Sequence, residues 1–338
     1  MTKASPLRWV GVGVLALALA VVLALVPFVG GSYYAHIGIL VFLNITLVLG
    51  YRLLCVAGLY SFCQITFFGI GAYTSALLST RLGWPVWLCF VAAGIVAALF
   101  SMGLILPAAR VRGVYFFLVT FGFLEVMNAV FLHWSSLTGG DAGVLVSAPL
   151  IGTGTQTQDY FVILAFVVIT VFVMWRIERS RFGRELAPIG NAEGLAAVSG
   201  INVLQNRVLA FAIGAAVAGF AGSLFAHDAA YISANDFSMW DTIYILVWLV
   251  VGGPRKMWGP IVGAVAMTLI AEFLRMSGIM QALFYAGVLL VVVMAMPQGI
   301  VGFVDMIRIR FGRRTPPAAE LQTVSEPPRA ESLVEGSQ

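Results

Sequence analysis

Two carboxylates stand out because they fall in stretches otherwise built of apolar residues. Glu125 follows Thr120-Phe121-Gly122-Phe123-Leu124, and Glu272 lies three residues before Arg275. A charge inside a membrane span is costly, so it is normally paired, functional or turned toward water. The Glu272–Arg275 spacing makes them neighbours on one helix and reads as a structural ion pair. Glu125 has no basic residue within one turn, so its partner belongs to another helix or to water. It reads as part of a translocation path or gate, or as a polar group satisfied elsewhere.

A second group is uncharged. Ser61, Gln64 and Thr66 come just before Gly69 and Gly71 in LYSFCQITFFGIGAY, residues 59–73. Non-helical backbone at membrane depth is tolerated only when buried in protein or facing a watery cavity. Interrupted helices of this kind mark binding sites in carriers. The same residues read equally as a glycine-rich packing face.

A third group lies in RIERSRFGRELAPIGNAEGLAAVSGINVLQNR, residues 176–207, which holds five arginines and is too polar to span. Pro188 is expected to interrupt any helix there. Asn191 is a good N-cap, Glu193 suits the first turn of a helix, and Gly200 fits a C-terminal stop. A short helix over 191–199, lying off the membrane, is expected, either as a docking element or as a surface helix without a partner. The arginines read mainly as topological anchors. On the opposite side, 134–158 and 228–241 contain no lysine or arginine but hold Asp141, Asp228, Asp236 and Asp241. These loops read as glycine-and-serine turns or as a surface that receives a partner.

Other chemistry is missing from the sequence. There is no G-x-x-x-x-G-K-[ST] phosphate loop, since neither Lys3 nor Lys256 follows a glycine. Cys55, Cys63 and Cys89 lie in apolar stretches without paired spacing, and His36, His133 and His227 are scattered. We therefore expect no metal, no cofactor in this chain and no catalytic set. If transport uses ATP, another polypeptide binds it together with its magnesium.

The elements that position these residues follow from hydropathy. The chain has 338 residues, 61% hydrophobic and only 10% charged, against about 25% charged in soluble domains. That excludes a soluble globular protein. The net charge of +4 does not point to nucleic acid, because basic residues mark the cytoplasmic side of membrane proteins. At about twenty apolar residues per span, ten spans are expected: 8–29, 36–50, 53–79, 84–107, 114–133, 159–177, 207–228, 240–253, 258–276 and 280–298. The third is long and broken by Gly58, Gly69 and Gly71; the eighth is short, from Asp241 to Gly252-Gly253-Pro254. The apolar run to Phe28 exceeds a signal-peptide core of about 7–15 residues and reads as a retained span.

Strict alternation with both termini inside puts 17 of the 19 basic residues on the cytoplasmic side, all but Arg81 and Arg275. Gly214, Ala218 and Gly222 form a small-residue row suited to close helix packing in lipid. Residues 1–310 are expected to form the transmembrane domain, with a cytoplasmic loop at 178–206. The segment 311–338, rich in Pro, Glu and Ser, is expected to be a disordered tail.

Four blocks resemble the permease subunits of branched-chain amino acid ABC importers, the LivM-like branch. They are FFGIGAYTSALL at 67–78; RVRGVYFFLVTFGFLEV at 110–126 with TGGDAG at 138–143; SRFGRELAPIGNAEGLAAVSGINV at 180–203 with AGFAGSLFAH at 218–227; and VVGG at 250–253 with GPIVGA at 259–264 and MPQGIVG at 296–302. The resemblance spans residues 50–303. It implies an all-α polytopic membrane protein of the type II importer kind, with about ten transmembrane helices and cytoplasmic termini, in a bacterial inner membrane. It also implies a second permease subunit in a heterodimer, two ABC ATPase subunits and a periplasmic substrate-binding protein.

By resemblance, Glu193, Ala196, Ala197 and Gly200 match the ATPase-coupling helix, which Asn191 is expected to cap. Ser61, Gln64, Thr66, Gly69, Gly71 and Glu125 are candidates for the translocation path, and Gly139, Gly140 and Asp141 for a periplasmic loop. The implied cargo is a branched-chain or related hydrophobic amino acid; urea, short amides and other amino acids are the alternatives, and a secondary carrier is the alternative class. Departures from the family pattern include Ser61-Phe62-Cys63-Gln64, where a small-Leu-Gly-His run is usual.

Overall fold

A long apolar run satisfies its backbone polar groups within itself only as a helix, and helices dominate. The computed structural model describes residues 6–109, 111, 113–146, 148–150, 156–254 and 256–273, with 283, 286, 287 and 290 in isolation; of residues 6–30 only the backbone is described. The elements are α1 (Pro6–Val56), α2 (Gln64–Leu82), α3 (Val86–Ala108), α4 (Val114–His133), α5 (Ser135–Thr138), α6 (Gln156–Arg179), α7 (Arg181–Asn191), α8 (Glu193–Val198), α9 (Val203–Ala229), α10 (Met239–Gly252) and α11 (Trp258–Phe273). A two-residue strand, β1 (Val144–Leu145), pairs antiparallel with β2 (Tyr231–Ile232). Five described helical segments are long and apolar enough to cross a membrane: Gly31–Val56, α3, α4, α6 and α9.

Several boundaries differ from expectation. The first two expected spans are joined in α1, which breaks only at Gly31 (φ 72°, ψ −173°), so the second runs from 31 to 56 rather than 36 to 50. The third expected span is two elements: residues 53–56 finish α1, residues 57–63 are non-helical, and α2 begins at Gln64. Among the three glycines there, only Gly58 (φ 75°) takes a backbone that a side chain disfavours. Gly69 and Gly71 lie in uninterrupted helix. The tenth expected span, Arg275 and the 311–338 tail fall outside the described residues, apart from the isolated positions given above.

The layering is set by the small residues. The most apolar stretch of Gly31–Val56 is 83% buried and that of α9 67%, against 33% in α3, 28% in α6 and 22% in α4. These two, with α2, form the centre, and α3, α4 and α6 lie outside. A Cβ on Gly71 would sit 2.2 Å from the Gly219 carbonyl oxygen, and one on Gly222 would sit 1.9 Å from that of Phe68. Backbones that close gain dispersion contact without a side chain between them, the usual basis of helix association in lipid. A protein-sheathed α2 can also carry polar Gln64, Thr66, Ser75 and Ser79, all buried, because it need not face lipid.

Candidate functional site

The non-helical stretch 57–63 lies among helices, and its polar groups are met by side chains. The Phe62 N–H donates to Thr120 Oγ1 of α4 at 3.1 Å, and the Phe62 carbonyl accepts from Thr242 Oγ1 of α10 at 3.1 Å. Thr120 passes its own proton to the Phe117 carbonyl at 2.9 Å. The Phe62 ring packs edge-on against Phe117, with centroids 4.3 Å apart. Ser61 is buried, its hydroxyl 2.9 Å from Cys63 Sγ and accepting from the Cys63 N–H at 3.2 Å. Gln64 donates through Nε2 to the Gly214 carbonyl at 3.2 Å, while its Oε1 is buried without a partner. Thr66 is buried beside it.

Gly69 and Gly71 are packing positions: a Cβ on Gly69 would lie 2.9 Å from the Phe237 ring. The structure brings Ser61, Gln64 and Thr66 together at the start of α2 but does not put a break at those glycines.

Glu125 stands apart from this group. It is exposed on α4, on a face that also exposes Tyr115 (70%), Leu118 (54%) and Val126 (60%), and it has no partner among the described residues. A Cβ at Gly122 would meet nothing within 4 Å. Among the described residues, no helix covers this face. Glu272, by contrast, is not isolated: it accepts from the Tyr33 hydroxyl at 3.0 Å.

At one end of the bundle lie α7 and α8. Pro188 does not interrupt the helix; α7 runs through it to Asn191, capped at its start by Ser180, whose Oγ accepts from the Gly183 N–H at 3.2 Å. Proline costs about 3 kcal/mol inside a helix. Leu186 and Ile189 are 1% exposed, and each such burial returns roughly 1.5–3 kcal/mol, which offsets the loss. Asn191 is therefore the last residue of α7, not the cap of the next helix. That place falls to Ala192 (φ −152°), with no side-chain bond, and α8 is six residues long rather than nine.

Gly200 closes the short helix in a left-handed turn (φ 81°): its N–H donates to Ala197 O and that of Ile201 to Ala196 O. Within α8, Ala196 is buried, whereas Leu195 and Val198 are 70% and 88% exposed. Ala197 is exposed as well.

Three ties join this end to the bundle. Glu193 Oε2 pairs with Arg207 Nη2 of α9 at 3.2 Å. Glu185 accepts from Asn206 Nδ2 at 3.0 Å. The Cα of Gly190 comes within 3.0 Å of where a Cβ on Gly58 would lie, so α7 rests on the start of the 57–63 stretch. Beside them Arg52, 7% exposed, pairs with Glu178 at 2.8 Å and donates through Nε to the Pro254 carbonyl. Arg52 and Arg207 are thus more than topological anchors. Sequence reading missed their partners, although an acid and a base fourteen positions apart around a short helix was an available signal.

At the other end, Gly139 (φ 75°) and Gly140 (φ 58°) lead into a single 3-10 turn, Gly140–Ala142, with Asp141 exposed. The β1–β2 pair and Arg81, bonded to the Ser136 and Leu137 carbonyls, hold this loop against the α9–α10 connection and α2. A buried chain of bonds below it was not foreseen: Ser223 donates to Ser75 at 2.7 Å, Ser75 to His227 Nε2 at 2.9 Å, and His227 Nδ1–H to the Ala148 carbonyl at 2.7 Å. The last bond sets the tautomer, since a carbonyl can only accept.

A family model described as the branched-chain amino acid transport system permease component matches residues 33–296. The chain is 28% identical over 312 residues to the high-affinity branched-chain amino acid transport system permease protein LivM of Salmonella typhimurium, covering 84% of this chain and 73% of the relative. It is 29% identical over 311 residues, with the same coverages, to the LivM protein of Escherichia coli. Similarity to the galactose/methyl galactoside import permease protein MglC of Salmonella typhimurium is 25% over 176 residues, 48% of this chain and 52% of the relative. No solved structure matches the chain.

Proposed function

Because the chain belongs to the branched-chain amino acid transport permease family, we propose that it forms half of the pore of a bacterial ATP-driven importer for branched-chain or related aliphatic amino acids. It is a multi-pass membrane permease component and catalyses no chemistry itself; ATP and magnesium are held by two partner ATPase subunits. In this reading the chain crosses the inner membrane ten times, with residues 1–310 as the transmembrane domain, 311–338 as a cytoplasmic tail and both termini inside. The α7–α8 end then faces the cytoplasm, and the Gly139-Gly140-Asp141 loop faces a periplasmic binding protein. A second, related permease subunit covers the exposed face of α4, so that Glu125 borders the path between them.

One observation carries the reading. A helix of six residues exposes Leu195 and Val198 to solvent while tied to α9 through Glu193–Arg207. An exposed apolar pair of this kind serves a docking partner better than it serves the fold. When the ATPases close on ATP, α8 moves with them. Arg207 carries the motion into α9, and Gly190 against Gly58 carries it to the non-helical stretch beneath Ser61 and Gln64.

The test is made on proteoliposomes containing the complete transporter, with Glu193→Gln and Gly200→Val as variants. Hydrolysis of ATP is expected to continue while leucine uptake falls about tenfold. An unchanged ratio of uptake to hydrolysis overturns the proposal.

A further inference from the structure

We propose that the corner where α6 passes into α7 binds the headgroup of an anionic phospholipid. Its place in the cytoplasmic leaflet rests on the orientation proposed above; the patch itself rests on geometry.

The outer face of α6 changes character along one stripe. Val168, Ile169, Phe172 and Val173 are apolar and exposed. Steps of three and four residues keep to one face of a helix. Such steps lead from Val168 through Phe172 to Arg176, and from Phe172 through Trp175 to Arg179. Both arginines are exposed, so they continue the face that the apolar residues begin. Between them, the Trp175 ring lies 6.1 Å from that of Phe172, and the Arg179 guanidinium sits 4.2 Å over Trp175. An aromatic ring followed by cations is the order met on passing from acyl chains to headgroups.

The start of α7 adds charge to the same corner. Arg181 and Arg184 are exposed, and Arg184 Nη1 reaches back to donate to the Arg179 carbonyl at 2.9 Å. The nearby carboxylates are engaged elsewhere, Glu178 with Arg52 at 2.8 Å and Glu185 with Asn206 at 3.0 Å. Among the described residues none of the four arginines is in an ion pair. The positive end of the α7 dipole falls here too. The combination selects among occupants. A phosphate accepts from guanidinium groups in pairs of bonds, while its acyl chains lie along Phe172 and Val168. A zwitterionic lipid fits the apolar stripe but brings its own cation to the arginines. An acidic protein surface fits the charge but not the apolar stripe continuous with it.

The experiment uses the complete transporter in phosphatidylcholine liposomes with a trace of spin-labelled phosphatidylglycerol or spin-labelled phosphatidylcholine. The fraction of label immobilised at the protein surface is read by electron paramagnetic resonance. Phosphatidylglycerol should be favoured at least about fivefold, the worth of one arginine near a membrane surface. The preference should shrink toward unity in about 1 M salt, where charges are screened within about 3 Å. Arg176→Gln together with Arg179→Gln should remove most of it, and the same two positions changed to lysine should keep it. Arg181→Gln with Arg184→Gln, on α7, should also reduce it and serves where the first pair disturbs folding.

Equal immobilisation of the two lipids by the wild-type complex overturns the site. So does a preference indifferent to salt, or one that survives both glutamine pairs. Loss of the ATPase subunits from a glutamine pair, with the lipid preference intact, assigns the arginines to a protein contact and overturns it as well. ATP-driven uptake on the same preparation separates the two proposals: leucine uptake without the lipid preference removes only the lipid site, whereas the preference without uptake of any aliphatic amino acid removes only the transport reading.

Discussion

Thr242 of α10 donates to the carbonyl of Phe62 at 3.1 Å, in a stretch where that carbonyl has no helix to serve it. Thr120 of α4 accepts from the N–H of the same residue. Two helices far apart in sequence therefore close on the backbone of one residue and make the interruption at 57–63 a held conformation. Thr242→Val keeps the shape and removes the donor. A buried carbonyl left unmet costs about 1–3 kcal/mol, so the unfolding temperature of the purified protein should fall, and Thr242→Ser should restore it. An unchanged melting temperature in the valine variant would show the bond to be dispensable.

Gly71, at the crossing of α2 and α9, and Gly103, on the open side of α3, make a contrasting pair of substitutions. Gly71→Ala sets a methyl 2.2 Å from the Gly219 carbonyl, and overpacking of this kind costs roughly 1–3 kcal/mol. Gly103→Ala meets nothing within 4 Å and exchanges glycine for a better helix former. Thermal stability should drop for the first and hold or rise for the second. Equal behaviour would mean that the close approach is not what holds the centre together.

Val198 is 88% exposed on α8, and surface changes away from structural features shift stability by no more than about 0.5 kcal/mol. Val198→Asp should leave melting and expression unchanged and abolish copurification of the ATPase subunits. Retention of the ATPases would move their docking surface elsewhere.

Glu125 lies on the uncovered face of α4 without a partner among the described residues. Glu125→Gln removes the charge at nearly constant volume. Stability of the isolated chain should hold or rise, because an uncompensated charge in a membrane is costly. Uptake by the assembled transporter should fall. Unchanged uptake would place the path elsewhere.

Much of this was legible in the residues. α4 occupies 114–133, the span expected from hydropathy alone, because its apolar run is bounded by Gly113 and Trp134. The stop at Gly200 was legible too, since a left-handed turn after a helix favours glycine. The position of the interruption was not. Gly58, Gly69 and Gly71 are identical as letters, and what separates them is what each backbone meets: Gly190 for the first, Phe237 and Gly219 for the others. Pro188 misled for a related reason, since its cost is set against the burial of Leu186 and Ile189, which only tertiary packing reveals. Thr120 and Thr242 were passed over as ordinary span residues, because what they share is the backbone of Phe62, whose bonding carries no mark in the sequence. α2, α10 and α11 fall short of the five clear spans through length or polarity; in α2 protein covers most of the surface that lipid would otherwise demand be apolar.

The contact between Gly58 and Gly190 sets a limit on mechanical slack. Side chains at an interface yield by turning about their bonds, so a small displacement is absorbed before anything beyond them moves. Here backbone lies on backbone: a Cβ on Gly190 would be 2.3 Å from the Val56 carbonyl oxygen, and no rotamer stands between the two chains to take up play. A tilt of α7 toward the bundle is then delivered to residues 57–63 almost undiminished, while a tilt away delivers nothing. Under the coupling proposed above, this contact would act as a one-way strut, stiff in compression and slack in tension, so that a push, rather than a pull, would reach residues 57–63 through it.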